Sequence, residues 1–376
     1  MRQKGYLAIG LILKIEMAVE KAKILFNDKT LFKGFLFGFE KTASGEAVFN
    51  TGMVGYSESL SDPSYFGQIL IFTYPLIGNY GVFSREKEFG LLKYFESAKI
   101  QVKGLIVSDY SFNYSHWQAK ESLDSWLKKE KIPGIYGIDT RALTKKLRKN
   151  GTMLAKILTG KDDIDFYNQE KEDIISKVSC KKPIYYGRGK IKIALIDCGV
   201  KYSIIKSFIR RGVEVVRVPY DFDLSTINFD GLFISNGPGD PKKCEKIIET
   251  TKKIMKKGIP IFGVCLGNQI LSLAAGATTY KLKYGHRSQN QPCQDVETKK
   301  CYVTSQNHGF AVDKNSLPKD WRPWFLNLND GTIEGIKHKR KPFFSVQFHP
   351  EAFPGPTDTK FLFDKFIEIC KKSKRH

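Results

Sequence analysis

The sequence predicts an α/β protein: a β-rich N-terminal domain followed by an α/β domain with a mainly parallel central sheet. Two observations carry this reading. From Ile191 onward, apolar strand-like runs alternate with amphipathic helical runs, an order that lays strands parallel under covering helices. From Met17 to Thr159, short aromatic and β-branched runs are separated by Gly, Asn, Asp and Pro, the punctuation of a strand-rich fold. A chain of 376 residues is long enough for two domains, each with its own core.

In chain order, residues 1–16 are read as an extension, with Met17 as an alternative start. Arg2 and Lys4 before YLAIGLIL imitate a secretory signal, but Lys14 and Glu16 follow at once and no A-x-A-like cleavage site appears. Residues 17–160 form the first domain, with strands in KILF, GFLFGF, AVFNTGMV and QILIFTYP. A helix is expected over Ser122–Lys129, and another in IDTRALTKKLRKNG, capped by Asp139 or Thr140 and ended by Gly151. The polar stretch 161–190 is read as the linker, and 191–376 as the second domain. There IKIALID, VEVVRVP, FDGLFIS and IPIFGV are strands. YSIIKSFIRRG, Lys242–Lys257 and Leu266–Ala275 are helices. Active groups of such sheets gather at the carboxyl ends of the strands.

Composition excludes several classes. No apolar run approaches the 18 or more residues of a membrane span, so a soluble, cytoplasmic chain is expected. Seven cysteines, irregularly spaced and without a C-x-x-C pair, fit a reducing compartment and suggest neither a metal site nor a disulfide framework. The net charge of +22 is spread along solvated helix faces, with no nucleic-acid-binding motif beside it.

The chemistry is read from three segments. Gly263-Val264-Cys265-Leu266-Gly267 follows an apolar strand and opens a helix, with the spacing of a G-x-S-x-G nucleophile elbow carrying cysteine. Small residues at 263 and 267 leave room for the tight turn, and the helix N-terminus favours a thiolate. Alone, this pattern also fits a plain packing turn. His349-Pro350-Glu351 ends the strand FFSVQF, where an imidazole can exchange the thiol proton and a carboxylate can orient it. The bland reading is a histidine capping a strand. Ser235 to Pro241, SNGPGDP, follows FDGLFIS. Its glycines free backbone N–H groups for an oxyanion hole together with that of Leu266, although an ordinary strand-to-helix turn is the default for such a loop.

GVCLGNQ, SNGPGDP and SVQFHPE together resemble the class I (triad) glutamine amidotransferases. FNTGMVGYSESLSDPSY, YPLIGNYG, GIDTRALTKKLR, SQNHGFAVD and FHPEAFPGPTD resemble the small, glutamine-hydrolysing subunit of carbamoyl-phosphate synthetase, over about residues 20 to 370. The resemblance implies Cys265 as nucleophile, His349 as base and Glu351 as its orienter. It implies glutamine contacts from Ser64, Gly237, Gly239, Leu266, Gln269, Asn307, Gly309 and Phe310. His308 is expected to be structural, and His116 and His286 receive no role. It further implies ammonia delivery to a large synthetase subunit, which uses ATP, Mg and bicarbonate to make carbamoyl phosphate for arginine and pyrimidine synthesis. No cofactor is expected in this chain, which lacks a G-x-x-x-x-G-K-[ST] loop. Asn268 departs from the bacterial pattern, and YGHRSQNQP looks closer to the version fused to the synthetase in eukaryotes. Rival readings are an amidotransferase serving another synthase, a catalytically silent assembly subunit and a basic RNA-binding protein.

Overall fold

The computed structural model describes residues 21–160 and 162–374. The extension read at 1–16 lies outside the described residues. Seven strands of the N-terminal part close into a barrel. They are β1 (Lys21–Phe26), β2 (Leu31–Gly38), β3 (Ala43–Asn50), β4 (Gln68–Phe72), β5 (Gly104–Ile106), β6 (Pro133–Tyr136) and β7 (Met153–Thr159). Their order around the barrel is β1-β7-β3-β4-β5-β6-β2. Closure lets the strands bury apolar side chains on both faces: Ile24, Ala47, Ile69 and Ile157 in one cluster, Val48, Leu70 and Leu105 in another. The short helix α1 (Tyr56–Ser61) leads into a 3-10 turn at Pro63–Tyr65. Helix α2 (Leu123–Lys129) starts where Ser122 accepts the Ser125 N–H, at 3.1 Å. Helix α3 (Thr140–Asn150) is capped by Asp139, which accepts from the Ala142 N–H at 2.9 Å, and ends at Gly151.

The second part is a ten-stranded sheet. It comprises β8 (Ile184–Tyr186), β9 (Lys192–Asp197), β10 (Glu214–Pro219), β11 (Gly231–Ile234), β12 (Ile261–Val264), β13 (Thr279–Asp295), β14 (Cys301–Val312), β15 (Trp321–Asn327), β16 (Ile333–His338) and β17 (Phe343–Val346). They lie in the order β8-β10-β9-β11-β12-β17-β16-β14-β13-β15. The expected parallel arrangement holds for the five central strands, β10-β9-β11-β12-β17. The remaining strands pair antiparallel, so the sheet is mixed, not mainly parallel.

Helices cover both faces of the parallel block. On one, α4 (Tyr202–Ile209) and α7 (Phe361–Ser373) pack Ile204, Phe208, Phe363 and Phe366 onto Phe233 and Phe262. On the other, α5 (Glu245–Lys257) and α6 (Leu266–Ala275) bury Ile247, Ile254, Ile270 and Leu271. The stretch read as a linker is not a free tether. Gln169 reaches Glu46 of the barrel at 3.2 Å, and Ile184–Tyr186 becomes the outer strand of the sheet.

Candidate active site

Strand β12 is buried along its whole length, and the chain leaves it through Cys265, which begins α6 at φ 56° and ψ −106°. This is left-handed backbone for a residue with a side chain, a strained geometry of the kind concentrated at functional sites. The flanking glycines are steric necessities. A Cβ at Gly267 would meet the Ile234 carbonyl oxygen at 2.1 Å, and one at Gly263 the Gly267 oxygen at 2.4 Å. Two backbone bonds secure the elbow: the Cys265 N–H donates to Val346 O at 2.9 Å, and the Cys265 carbonyl accepts from the Asn268 N–H at 3.0 Å.

His349 stands beyond the end of β17, the neighbour of β12. Its Nδ1 faces Glu351 Oε1 at 2.6 Å. Nε2 is buried without a hydrogen-bond partner, and the Cys265 thiol is among the groups that act on the ring. Burial works against a charged imidazole here, but the Glu351 carboxylate outweighs it, and His349 is pushed up to about 10. Glu351 is held down at about 2: burial opposes ionisation, while Lys201 and the imidazole favour it more strongly. The arrangement favours an imidazolium beside the cysteine sulfur, which can both steady a thiolate and supply a proton to a leaving amine.

The other residues named from sequence gather around this pair. Ser64, Gly237, Gly239, Cys265, Gln269, Asn307, Gly309 and Phe310 line one cavity. Ser64 Oγ, from the barrel side, accepts from Asn236 Nδ2 at 2.8 Å. Gly237 runs so close to Cys198 that a Cβ would meet its carbonyl oxygen at 2.0 Å, and Gly239 has φ 97°. Gln269 donates to the Phe310 carbonyl at 2.9 Å and to Gln347 Oε1 at 3.1 Å. The Asn307 carbonyl accepts from the Cys265 thiol at 3.5 Å. Leu266 does not line this cavity. Its side chain packs into the core, and its place as the first residue of α6 offers a backbone N–H instead. His308 also lines this cavity, and its ring contacts Phe310 O and Gln306. Asn268 is fully buried, bonded to Ser345 and Gln347 behind the cavity. His116 lies apart, its ring stacked on Trp117.

Sequence reasoning missed Lys201. Its Nζ donates to Glu351 Oε1 at 2.9 Å, and both side chains are almost wholly buried. Burial disfavours its charge, yet Glu351, Glu96 and Asp62 together keep its pKa above the usual lysine value. The one signal in the sequence was its position just past the carboxyl end of a central strand, β9. Asp62 and Asn236 were also passed over. Asp62 accepts from Asn307 Nδ2 at 3.2 Å, and both residues stood inside segments already singled out.

A Cys–His–Glu constellation at the carboxyl ends of a parallel strand block defines the class. Residues 194–369 match the family model described as Glutamine amidotransferase class-I, and residues 24–157 match that of Carbamoyl-phosphate synthase small chain, CPSase domain. The carbamoyl phosphate synthase arginine-specific small chain of Saccharomyces cerevisiae is 48% identical over 369 residues, covering 94% of this chain and 90% of that one. The chain belongs to the carbamoyl-phosphate synthase small-chain family. It is also 49% identical to the multifunctional protein ura1 of Schizosaccharomyces pombe and 52% identical to the multifunctional protein CAD of Squalus acanthias. These matches cover 92% and 94% of this chain, which spans only 17% and 16% of those longer proteins.

Proposed function

We propose that the chain hydrolyses glutamine to glutamate and ammonia and passes the ammonia to a large synthetase subunit. The observation that carries this reading is Cys265, held at positive φ on an elbow beside the buried His349–Glu351 pair. The Cys265 sulfur attacks the side-chain amide carbon of glutamine. The C–N bond breaks, His349 supplies the proton to the departing nitrogen, and a γ-glutamyl thioester remains. Water then attacks the thioester with His349 as base, releasing glutamate and the thiol. Backbone N–H groups of Leu266 and the Gly237–Gly239 loop stabilise the oxyanion of both steps. Ser64, Gln269, Asn307, Gly309 and Phe310 hold glutamine from the surrounding walls.

The large subunit would combine the ammonia with bicarbonate, using ATP and Mg, to make carbamoyl phosphate for arginine and pyrimidine synthesis. The hydrolysis itself asks for no cofactor in this chain, since a thiol, an imidazole and ordered donors suffice. Among the described residues no helix is long and apolar enough to cross a membrane. We place the activity in the cytoplasm, where seven unpaired cysteines stay reduced. The deciding experiment is a glutaminase assay of Cys265→Ala and Cys265→Ser. Hydrolysis should fall at least about 10³-fold, as removal of a nucleophile does elsewhere. With a co-purified large subunit, synthesis from added ammonia should persist. Substantial glutamine hydrolysis by Cys265→Ala would refute the thioester route.

A further inference from the structure

We propose that His286, His308 and Glu334 bind a divalent metal ion of the zinc class, in a closed structural site at the wall of the glutamine cavity. Adjacent parts of the antiparallel half of the sheet deliver them: His286 from β13, His308 from β14 and Glu334 from β16. The absence of a C-x-x-C pattern hid this group from sequence reading, because its members are scattered over some fifty residues and meet only across strands.

Their geometry suits a metal ion. One ligand atom from each lies within 4.8 Å of the others. Glu334 Oε1 is 3.3 Å from His286 Nδ1 and 4.0 Å from His308 Nε2. Tetrahedral zinc with bonds of about 2.0–2.1 Å sets its ligand atoms about 3.4 Å apart, so one edge already has that spacing and small side-chain rotations supply the others.

The outer partners point the same way. His286 Nε2 faces Asp330 Oδ2 at 2.9 Å, and His308 Nδ1 faces the Phe310 carbonyl oxygen at 2.8 Å. Both oxygens can only accept when Asp330 is ionised, so each ring nitrogen that faces outward carries the proton. With both rings neutral, His286 Nδ1 and His308 Nε2 turn their lone pairs inward; Glu334 and Asp330 also favour a proton on His286, which the metal would displace. A carboxylate or carbonyl behind each imidazole is the usual support of a histidine that ligates a metal.

With both rings neutral, the centre of the group holds more acceptors than donors. Gln306 Oε1 lies 3.1 Å from His286 Nδ1 and 3.0 Å from His308 Nε2. Glu334 is fully buried. Asn327 and the Thr332 hydroxyl donate to its Oε1, at 3.2 and 3.3 Å, while its Oε2 has no hydrogen-bond partner. Imidazole lone pairs beside a buried carboxylate are costly in the interior, and a cation would satisfy them. Gln306 Oε1 completes a fourfold set, leaving no position for substrate. The ion would fix the strand segment that carries Asn307, Gly309 and Phe310, rather than take part in the thiol chemistry.

The test uses the whole chain, stripped with chelator and dialysed against zinc, with metal content read by plasma mass spectrometry. About one zinc per chain is expected, and its loading should raise Tm. Cobalt(II) in its place should show the visible bands of tetrahedral nitrogen and oxygen ligation. Glu334→Gln and His286→Asn should each weaken zinc binding by at least about tenfold and abolish the Tm rise. His286 keeps 11% side-chain exposure, so its variant remains informative if Glu334→Gln fails to fold. Uptake below about 0.1 zinc per chain means that Gln306 turns its amide to meet the two imidazoles, and overturns the proposal. So does zinc uptake that both variants leave unchanged, since the ion would then sit elsewhere.

Discussion

At the scale of single residues, the charge state of His349 is set by its neighbours, and each neighbour has a sign. Glu351 raises the imidazole and Lys201 lowers it. Hydrolysis that depends on an imidazolium declines as pH climbs through the value of His349. Glu351→Gln removes the larger raising influence, so the alkaline limb of the pH–rate profile should move down by at least about one unit, a change of about 1.4 kcal/mol. Lys201→Met removes a lowering influence on the ring and should move that limb the other way, with kcat reduced because Glu351 loses a buried partner. Profiles of kcat/KM for the two variants check both directions, and a common direction of shift would contradict these assignments. Cys265, His349 and Glu351 were legible because each sits in a short contiguous pattern of strand, turn and functional group. Lys201 was not, because its meaning comes from Glu351, 150 residues away.

At the scale of elements, the strand–turn–helix unit β12–Cys265–α6 depends on space that only glycine leaves. Gly267→Ala places a methyl 2.1 Å from a backbone oxygen of β11, and neither partner can yield without shifting a central strand. Such overpacking costs about 1–3 kcal/mol, visible as a lower urea midpoint, and should disable hydrolysis even in protein that remains folded. A variant with unchanged midpoint and rate would show the turn to be more yielding than its contacts indicate. The parallel strands and their helices were readable because they are short apolar runs bounded by caps. The antiparallel strands over 279–338 escaped for a physical reason. Strand β13 carries register shifts between Lys281 and His286 and again between Ser288 and Gln291, and each shift resets the alternation that marks a strand.

At the scale of the whole molecule, the glutamine cavity is a seam. Ser64 meets Asn236, Asp62 meets Asn307, and buried Glu96 accepts from both the N–H and the hydroxyl of Ser203. The N-terminal part therefore supplies a wall of the site, and in the proposed function it also offers surface to a partner. If that partner is the large synthetase subunit, the isolated chain should hydrolyse glutamine slowly, with the rate rising at least about tenfold in the complex. Such a gain needs only about 1.4 kcal/mol of preference for the competent arrangement. Size-exclusion chromatography at micromolar concentration, followed by rate measurement on the complex, checks both parts. Failure to associate would remove the synthetase from the reading and leave the glutaminase.

The closure of the barrel bears on how this chain fares before it finds a partner. A sheet with open margins presents unpaired backbone on which further strands can be laid, whereas seven strands joined in a ring present none. Strand-on-strand association of the unpartnered chain should therefore start at β8, the open edge of the ten-stranded sheet, and not at the barrel.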